Sequence, residues 1–482
     1  MKTLFLKYIT ILSAGMILIS SCAKKIELEP AFVLDGSSPL ASIEEAENAL
    51  TGAYNGFIQG GYYDANGPQG VGGSFSEYVD MMSDNLVESR ESLGNFRGIA
   101  EWTYVSNTDD VSVTWLAAYN IISGVNIIIR DIDKLAAAQP KAANRIKGQA
   151  LAIRAHVHFD LLRYFTTTFD RNSAELGVPY VKVFDVNAKP ARNTVKEVYD
   201  NIFTDLNAAA AALADIDQPV NTSARSRIDL LAVRAMQARV NLYAGQWQDA
   251  INAATPVIAA RPLASAAEFP LIWTDKTNTE ILWAVSFETV ADGVPYDNVY
   301  FVRGNRAEFK PAAQLLALYD QTNDVRYASY FTNTGGRLVV AKHIGRDNGS
   351  NRNGVVNWKS YRVAEMYLIR AEANYRLNKE TEARADLNAL RAARITGFTA
   401  GNETGAALLT AILLERRKEL AFEGDRFFDL KRLNKTAINR CPSTIDSPST
   451  ICQLPSSSRA WAWPIPFDET NVNPNVVQNP GY

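Results

Sequence analysis

The sequence predicts a mostly α fold: a scaffold of paired helices carrying large inserted loops and a few short strands. Three observations lead there. Apolar residues recur at spacings of three and four over several long windows, which gathers them on one helical face. These windows come in pairs separated by a few residues. Between the pairs lie long stretches rich in Gly, Asn, Ser, Tyr and Pro, at residues 59–98, 264–304, 332–357 and 441–482. Connections of that length inside a folded chain are usually functional or disordered, and their aromatic content favours function.

The elements follow in order. Ile146, Ala150, Ile153, Val157, Leu161 and Tyr164 form the first stripe. Val195, Val198, Ile202, Leu206 and Leu213 form the second, behind a capping-box start in which Thr194 is followed three residues on by Glu197. Ile228, Leu231, Ala235, Ala238 and Leu242 make a third, and Gly245 is placed to stop it. Its partner begins at once through Trp247, Ile251, Ala254 and Ile258, with Pro256 expected to kink or split that helix. Met366, Ile369, Ala373 and Leu377 stop at Asn378-Lys379, and Ala383, Leu387 and Leu390 resume after Thr381. Helix pairs of this kind resemble tetratricopeptide repeats, with spacing too irregular for a regular solenoid. Ile281 to Val285 reads as a buried strand, which assigns Trp283 to the core, and Trp273 with it.

The first 21 residues read as a signal peptide. Lys2 and Lys7 supply a positive start, and the apolar run from Tyr8 to Ile19 is shorter than the roughly 20 residues of a spanning helix. It ends in Ile19-Ser20-Ser21-Cys22, which resembles the bacterial lipobox, so Cys22 is the expected lipidation site. Residues 22–482 are then expected to form a single domain. No later stretch reads as membrane-spanning, which leaves the lipid as the expected anchor.

Composition narrows the class further. The 482 residues are 47% apolar and 21% charged, as in an ordinary folded protein. Losing residues 1–21 would remove Lys2 and Lys7 and no acid, leaving 47 basic against 52 acidic residues. No basic block stands out, which argues against nucleic acid as a partner. Cys441 and Cys452 flank a Pro/Ser/Thr/Asp-rich loop. In an exported chain they are expected to form a disulfide, worth about 3 kcal/mol by the chain-entropy model.

Motifs of catalysis are scarce. Val71-Gly72-Gly73-Ser74 lacks the ending of a phosphate loop, and no Gly-x-Ser-x-Gly elbow occurs. His156 and His158 lie two apart on a predicted helix and cannot chelate one metal together, and His343 is isolated. No metal or other cofactor is expected, and all three histidines are assigned to packing or surface roles. The charge-dense block from Glu415 to Arg432 reads as structure rather than catalysis. There Leu413, Leu420 and Phe422 pack inward, Glu415 and Glu419 pair with arginines, Gly424 ends one helix and Asp425 caps the next. Loop aromatics are the better functional lead, because a sugar ring offers an apolar C–H face to an aromatic ring while its hydroxyls need polar partners. Tyr62, Tyr63, Trp102, Tyr104, Tyr296 and Tyr300 are the candidate platforms, with Phe75 and Tyr78 beside them. Arg303 is the candidate polar partner, with Asn66, Asp84, Asp297 and Asn298 nearby in sequence. A pair of catalytic carboxylates across a cleft is not excluded by sequence alone.

These residues add up to a family resemblance over nearly the whole chain. The carrying segments are Ala49-Leu50-Thr51-Gly52-Ala53-Tyr54-Asn55-Gly56, Arg154 to Phe165, Gly177-Val178-Pro179-Tyr180, Ala371-Glu372-Ala373, Glu415 to Arg432, Pro464-Ile465-Pro466, Asn473-Pro474 and Gln478-Asn479-Pro480-Gly481-Tyr482. In that order, behind a lipoprotein signal, the chain resembles the SusD/RagB nutrient-binding lipoproteins of the Bacteroidota. The resemblance implies a fold of tetratricopeptide-like helix pairs with a loop-built binding face, and a role without catalysis. That role is to hold an oligosaccharide at the cell surface over a SusC-like TonB-dependent transporter in the outer membrane. A peptide-capturing receptor on the same fold, a lipid-anchored glycoside hydrolase and a protein-binding helical adaptor are the alternatives. Ala23-Lys24-Lys25-Ile26-Glu27-Leu28-Glu29 lacks the run of acids often seen after the cysteine in surface-exported members.

Overall fold

Ten principal helices organise the computed structural model, which describes residues 38–65, 72–216, 225–296, 307–346, 353–441 and 447–482. They are α1 (Ile43–Asn55), α2 (Asp109–Leu135), α3 (Pro140–Phe165), α4 (Val195–Ala212), α5 (Leu230–Tyr243), α6 (Trp247–Ala260), α7 (Val363–Arg376), α8 (Glu380–Arg394), α9 (Gly405–Glu419) and α10 (Arg426–Arg432). Consecutive members pack as antiparallel-type pairs, α2 on α3, α3 on α4, α5 on α6 and α7 on α8, with α7 also against α6 and α9. Leu40 to Tyr482 makes one compact unit. Cys22 and the signal-peptide residues lie outside the described residues.

Local chemistry explains the helix boundaries. Thr194 Oγ1 accepts from the Glu197 N–H at 3.2 Å while Glu197 Oε2 accepts from the Thr194 N–H at 2.8 Å, the reciprocal capping box expected for α4. Asp229 caps α5 by accepting from the Ala232 N–H at 2.8 Å. Gly245 turns left-handed after α5, and Asn378 does so between α7 and α8. Pro256 neither ends nor divides α6, which runs through it as one helix. Its ring lies on the exposed side, where water can take the carbonyl that loses its partner.

The central helix is α3, buried on nearly every side from Ile146 to Phe165. Its last carbonyls are all taken: Arg163 by the Lys431 ammonium at 2.7 Å, Tyr164 by the Trp463 N–H at 2.9 Å and Phe165 by Asn479 Nδ2 at 2.8 Å. The C-terminal segment thus closes the end of this helix. By length and composition α2 is long and apolar enough to cross a membrane, contrary to the reading of the sequence. Half of its most apolar stretch is buried, against α1 and α3, as in a core helix.

Short strands join distant parts of the chain. β1 (Leu86–Glu88) pairs antiparallel with β3 (Phe309–Pro311), and β2 (Ile281–Val285) with β6 (Trp358–Arg362). β4 (Phe331–Thr334) and β5 (Arg337–Val340) form a hairpin, and β7 (Ile438–Asn439) pairs with β8 (Gln453–Leu454). Just beyond β7 and before β8, Cys441 and Cys452 form a disulfide. Trp283 and Trp273 are in the core, as expected.

The block from Glu415 to Arg432 is an interior ion network. Glu419 meets Arg326 at 3.1 Å, Arg362 at 3.0 Å and Arg394 at 3.1 Å, while Glu415 meets Arg326 at 2.6 Å and Arg391 at 3.0 Å. Burial opposes the Glu415 charge, but Arg326, Lys418 and Arg391 outweigh it and hold the carboxyl at about 2. Three details differ from expectation. Leu413 is half-buried, and α9 already ends at Glu419, before Gly424. Asp425 stands at the start of α10 without capping it, because its carboxylate turns to the buried Arg163 guanidinium at 3.4 Å.

Candidate functional site

The large loops are anchored at one junction. After α1, Gly60 and Gly61 take positive φ and turn the chain so that Tyr62 and Tyr63 enter the core. The next residues pair with a distant segment: the Ala65 N–H donates to Val294 O at 2.8 Å, and the Val294 N–H donates to Asp64 Oδ1 at 3.1 Å. Ala65, Val294 and Val355 form a small apolar cluster. Gly293 has a φ of 86° and no room for a side chain, since a Cβ there would overlap the Asp64 carboxylate. Residues 65, 296 and 353, each the last described before or after an undescribed stretch, therefore start from neighbouring strands of chain.

Of the expected aromatic platforms, Tyr62, Tyr63, Trp102, Tyr104 and Tyr296 are all buried in the core. Tyr62 is fully buried, stacks on Phe75 at 4.2 Å and donates to Asp160 Oδ2 at 2.6 Å. Tyr63 sits between Phe57 and Trp358, its hydroxyl 3.1 Å from His156 Nε2. Tyr296 stacks on His343 at 4.2 Å and donates to Phe422 O at 2.6 Å. Trp102 is 6% exposed; its indole N–H donates to Met82 O at 2.8 Å and its face is covered by the Arg440 guanidinium at 4.3 Å. Tyr104 donates to Ala460 O and packs on Trp463. Phe75 and Tyr78 are buried as well. These rings have no face left for a sugar, because each polar tip and each flat side is already taken by protein. Asp84 is likewise spent: burial opposes its charge, but Arg426 and Arg417 hold the carboxyl at about 2. Tyr300, Arg303, Asn66, Asp297 and Asn298 lie outside the described residues.

The three histidines are core groups. Burial lowers His156 to about 4 and His158 to about 3, so both rings are neutral at pH 7. His158 accepts from the Val181 N–H at Nε2, 3.0 Å, which leaves Nδ1 to donate to Arg154 O at 2.8 Å. His343 lies against Tyr296 and Trp358. Among the described residues no three His, Cys, Asp or Glu side chains gather to hold a metal ion.

An open cleft of about 390 Å³ lies where β1, β3 and the β4–β5 hairpin meet, at the point where the chain re-enters after residue 306. Pro311, Leu316 and Leu338 line it together with Arg90, Lys310 and Arg337. Glu91 fixes one wall by pairing with Arg337 at 2.5 Å and accepting from the Ala307 N–H at 3.1 Å. In β1, Glu88 receives a fork from Arg97, both contacts at 3.0 Å. Asp80 ties the short helix Glu77–Met81, just before β1, to the chain after α9, accepting from Asn85 Nδ2 at 2.9 Å and the Phe422 N–H at 3.3 Å. Burial pushes its carboxyl up to about 7 against those hydrogen bonds. Aliphatic walls with guanidinium and ammonium donors at the rim suit a ligand that carries both C–H surface and oxygen acceptors. Sequence reasoning missed Arg90, Lys310 and Arg337, since β1 meets β3 only across more than two hundred residues and no local pattern records that pairing.

Known proteins share this architecture. Residues 315–482 match the family model described as the SusD family, and residues 48–242 match one described as starch-binding, associating with the outer membrane. SusD-like protein P38 of Formosa agariphila is 22% identical, over 100% of this chain and 99% of that protein. SusD-like protein P2 of the same organism is 25% identical, over 84% of this chain and 86% of that protein. A crystal structure of a SusD superfamily protein from Bacteroides thetaiotaomicron superposes with a TM-score of 0.79 at 26% identity, covering 91% of this chain and 100% of that one. A SusD-like carbohydrate binding protein from Bacteroides vulgatus superposes at 0.75 with 24% identity, covering 91% and 98%. With both family models, full-length relatives and the helical fold in agreement, this chain belongs to the SusD/RagB family.

Proposed function

We propose that the protein is a lipid-anchored outer-membrane receptor that captures an oligosaccharide at its loop-bearing cleft and delivers it, unchanged, to a SusC-like TonB-dependent transporter. The observation that carries the reading is the cleft at β1 and β3, mainly apolar with Arg90, Lys310 and Arg337 among its lining, where the chain re-enters after residue 306. A sugar's C–H faces suit Pro311, Leu316 and Leu338, and its hydroxyl oxygens suit the donors of Arg90, Lys310 and Arg337. Family membership and the match of residues 48–242 to a model described as starch-binding support the same class of ligand. Lipid attached at Cys22 would hold the receptor beside the transporter and raise its effective concentration there.

Calorimetric titration of the purified chain with a panel of neutral oligosaccharides and peptides tests the reading, with chromatography of the ligand afterwards. Saturable binding of an oligosaccharide with no shortened product is expected. Binding of peptides alone would replace the ligand class, and release of shorter sugars would make the protein a glycoside hydrolase. Cys22→Ala is expected to free the protein from the membrane fraction without changing ligand affinity.

A further inference from the structure

A second cleft opens elsewhere, among the ends of the helix pairs. Its volume is 760 Å³, within the range of small-ligand sites. The segment after α3, the α5–α6 turn, α7 and the end of α10 all contribute to it. The half-buried indole of Trp247 lies on one side and Thr167 and Thr168 on another.

Its cationic end is unusual. Lys431 is 4% exposed, yet its ammonium makes a single hydrogen bond, to the Arg163 carbonyl at 2.7 Å, and lies 4.9 Å from the Phe169 ring centroid. Among the described residues no carboxylate pairs with it, although an ammonium carries three donors. Lys435 lines the same cleft, also without an ion pair among the described residues, and its like charge adds to burial in pushing the Lys431 ammonium well below the usual lysine range. Three acids line the same cleft, and none is paired with Lys431 or Lys435 among the described residues; Asp170 accepts from the Asn172 N–H at 3.0 Å. Glu372 is held by the Arg432 fork at 2.8 Å, and Glu175 accepts from the Thr167 hydroxyl. A buried ammonium close to a second one, with no carboxylate in direct contact, is costly unless an anion joins it. Arg171 adds a buried Nε with no hydrogen-bond partner on the same wall.

We propose that this cleft is a second binding site, for a saccharide bearing an oxyanion, with Lys431 and Lys435 receiving the carboxylate or sulfate and Trp247 bordering the ring. The site is independent of the neutral-glycan reading of the loop-bearing cleft.

Calorimetry on the purified chain decides it, with digalacturonic acid, galactose 6-sulfate, neutral galactobiose and inorganic sulfate as probes. One of the two acidic sugars is expected to bind at least about tenfold more tightly than both galactobiose and inorganic sulfate. Lys431→Met is expected to weaken that binding by more than about tenfold. Because Lys431 also closes the end of α3, two milder variants keep the test open: Lys435→Gln and Trp247→Ala should each weaken binding by about threefold or more while the unfolding midpoint stays near that of the parent. Arg90→Ala, at the other cleft, should leave it unchanged. The proposal fails if neither acidic sugar binds, if inorganic sulfate binds as tightly (an adventitious ion only), if Lys435→Gln and Trp247→Ala both bind like the parent, or if Arg90→Ala abolishes the binding.

Discussion

Two regions of this molecule use their residues in opposite ways. Around α7 to α10 the interior is filled with charge: Arg326, Arg362, Arg394, Glu415 and Glu419 are all buried and mutually paired. Around the loop junction the interior is filled with aromatic rings, and the charged groups Arg90, Lys310 and Arg337 stand at the rim of a cleft. Residue type alone would exchange the two assignments, placing catalysis in the first and sugar stacking in the second. Burial separates them: the first set is enclosed, whereas Arg90 is exposed and Lys310 and Arg337 are half-buried. A side chain whose donors, acceptors and faces are all satisfied within the protein is scaffold, whatever its chemistry.

Breaking the charged region should have the largest effect. Glu419→Gln leaves three buried guanidinium groups short of an anion, and a loss of about 3–5 kcal/mol in a urea unfolding series is expected. Gly293→Ala should come next, because it adds a strained φ to an overlap with Asp64 at the junction; about 1–3 kcal/mol is expected. That variant should also weaken oligosaccharide binding, whereas Glu419→Gln in its folded population should not. Tyr62→Phe sharpens the contrast from the aromatic side. Losing its hydrogen bond to Asp160 should cost about 1–3 kcal/mol of stability and leave ligand affinity unchanged; a large loss of affinity at full stability would return this ring to the binding surface.

A further prediction concerns pH. Asp80 holds its proton more tightly in the folded protein, at about 7 against an ordinary 3.8, so this group lowers stability as pH rises from about 4 to about 7. Asp84 acts in the opposite sense: held at about 2, it adds stability above about 4 that is lost as the pH falls toward 2. Asp80→Asn is therefore expected to flatten the decline in urea midpoint between pH 5 and pH 8, while Asp84→Asn lowers the midpoint at both.

Much of the scaffold was legible because its determinants are local. Thr194 and Glu197 announce α4 within four residues, and Gly245 and Asn378 mark the turns inside two helix pairs. The stripes of α3 to α8 carry the 3.6-residue period directly. What stayed hidden depends on distant partners. The cleft exists because Leu86 lies opposite Pro311 and Glu91 reaches Arg337. Trp102 is lost to ligands because Arg440 covers it from far along the chain. The capping role expected of Asp425 yields to Arg163, another contact without a local signature. Ile281 to Val285 was legible as the buried strand β2, but the other short strands are too brief for a period, and α2 is apolar on more than one face.

The most direct test of binding at the loop-bearing cleft is one titration of an oligosaccharide ligand into the parent and into the Arg90→Ala/Lys310→Ala double variant. An affinity loss of at least about tenfold is expected, with an unchanged unfolding midpoint and no shortened sugar recovered. Equal affinity in the two proteins would contradict the assignment of capture to this cleft.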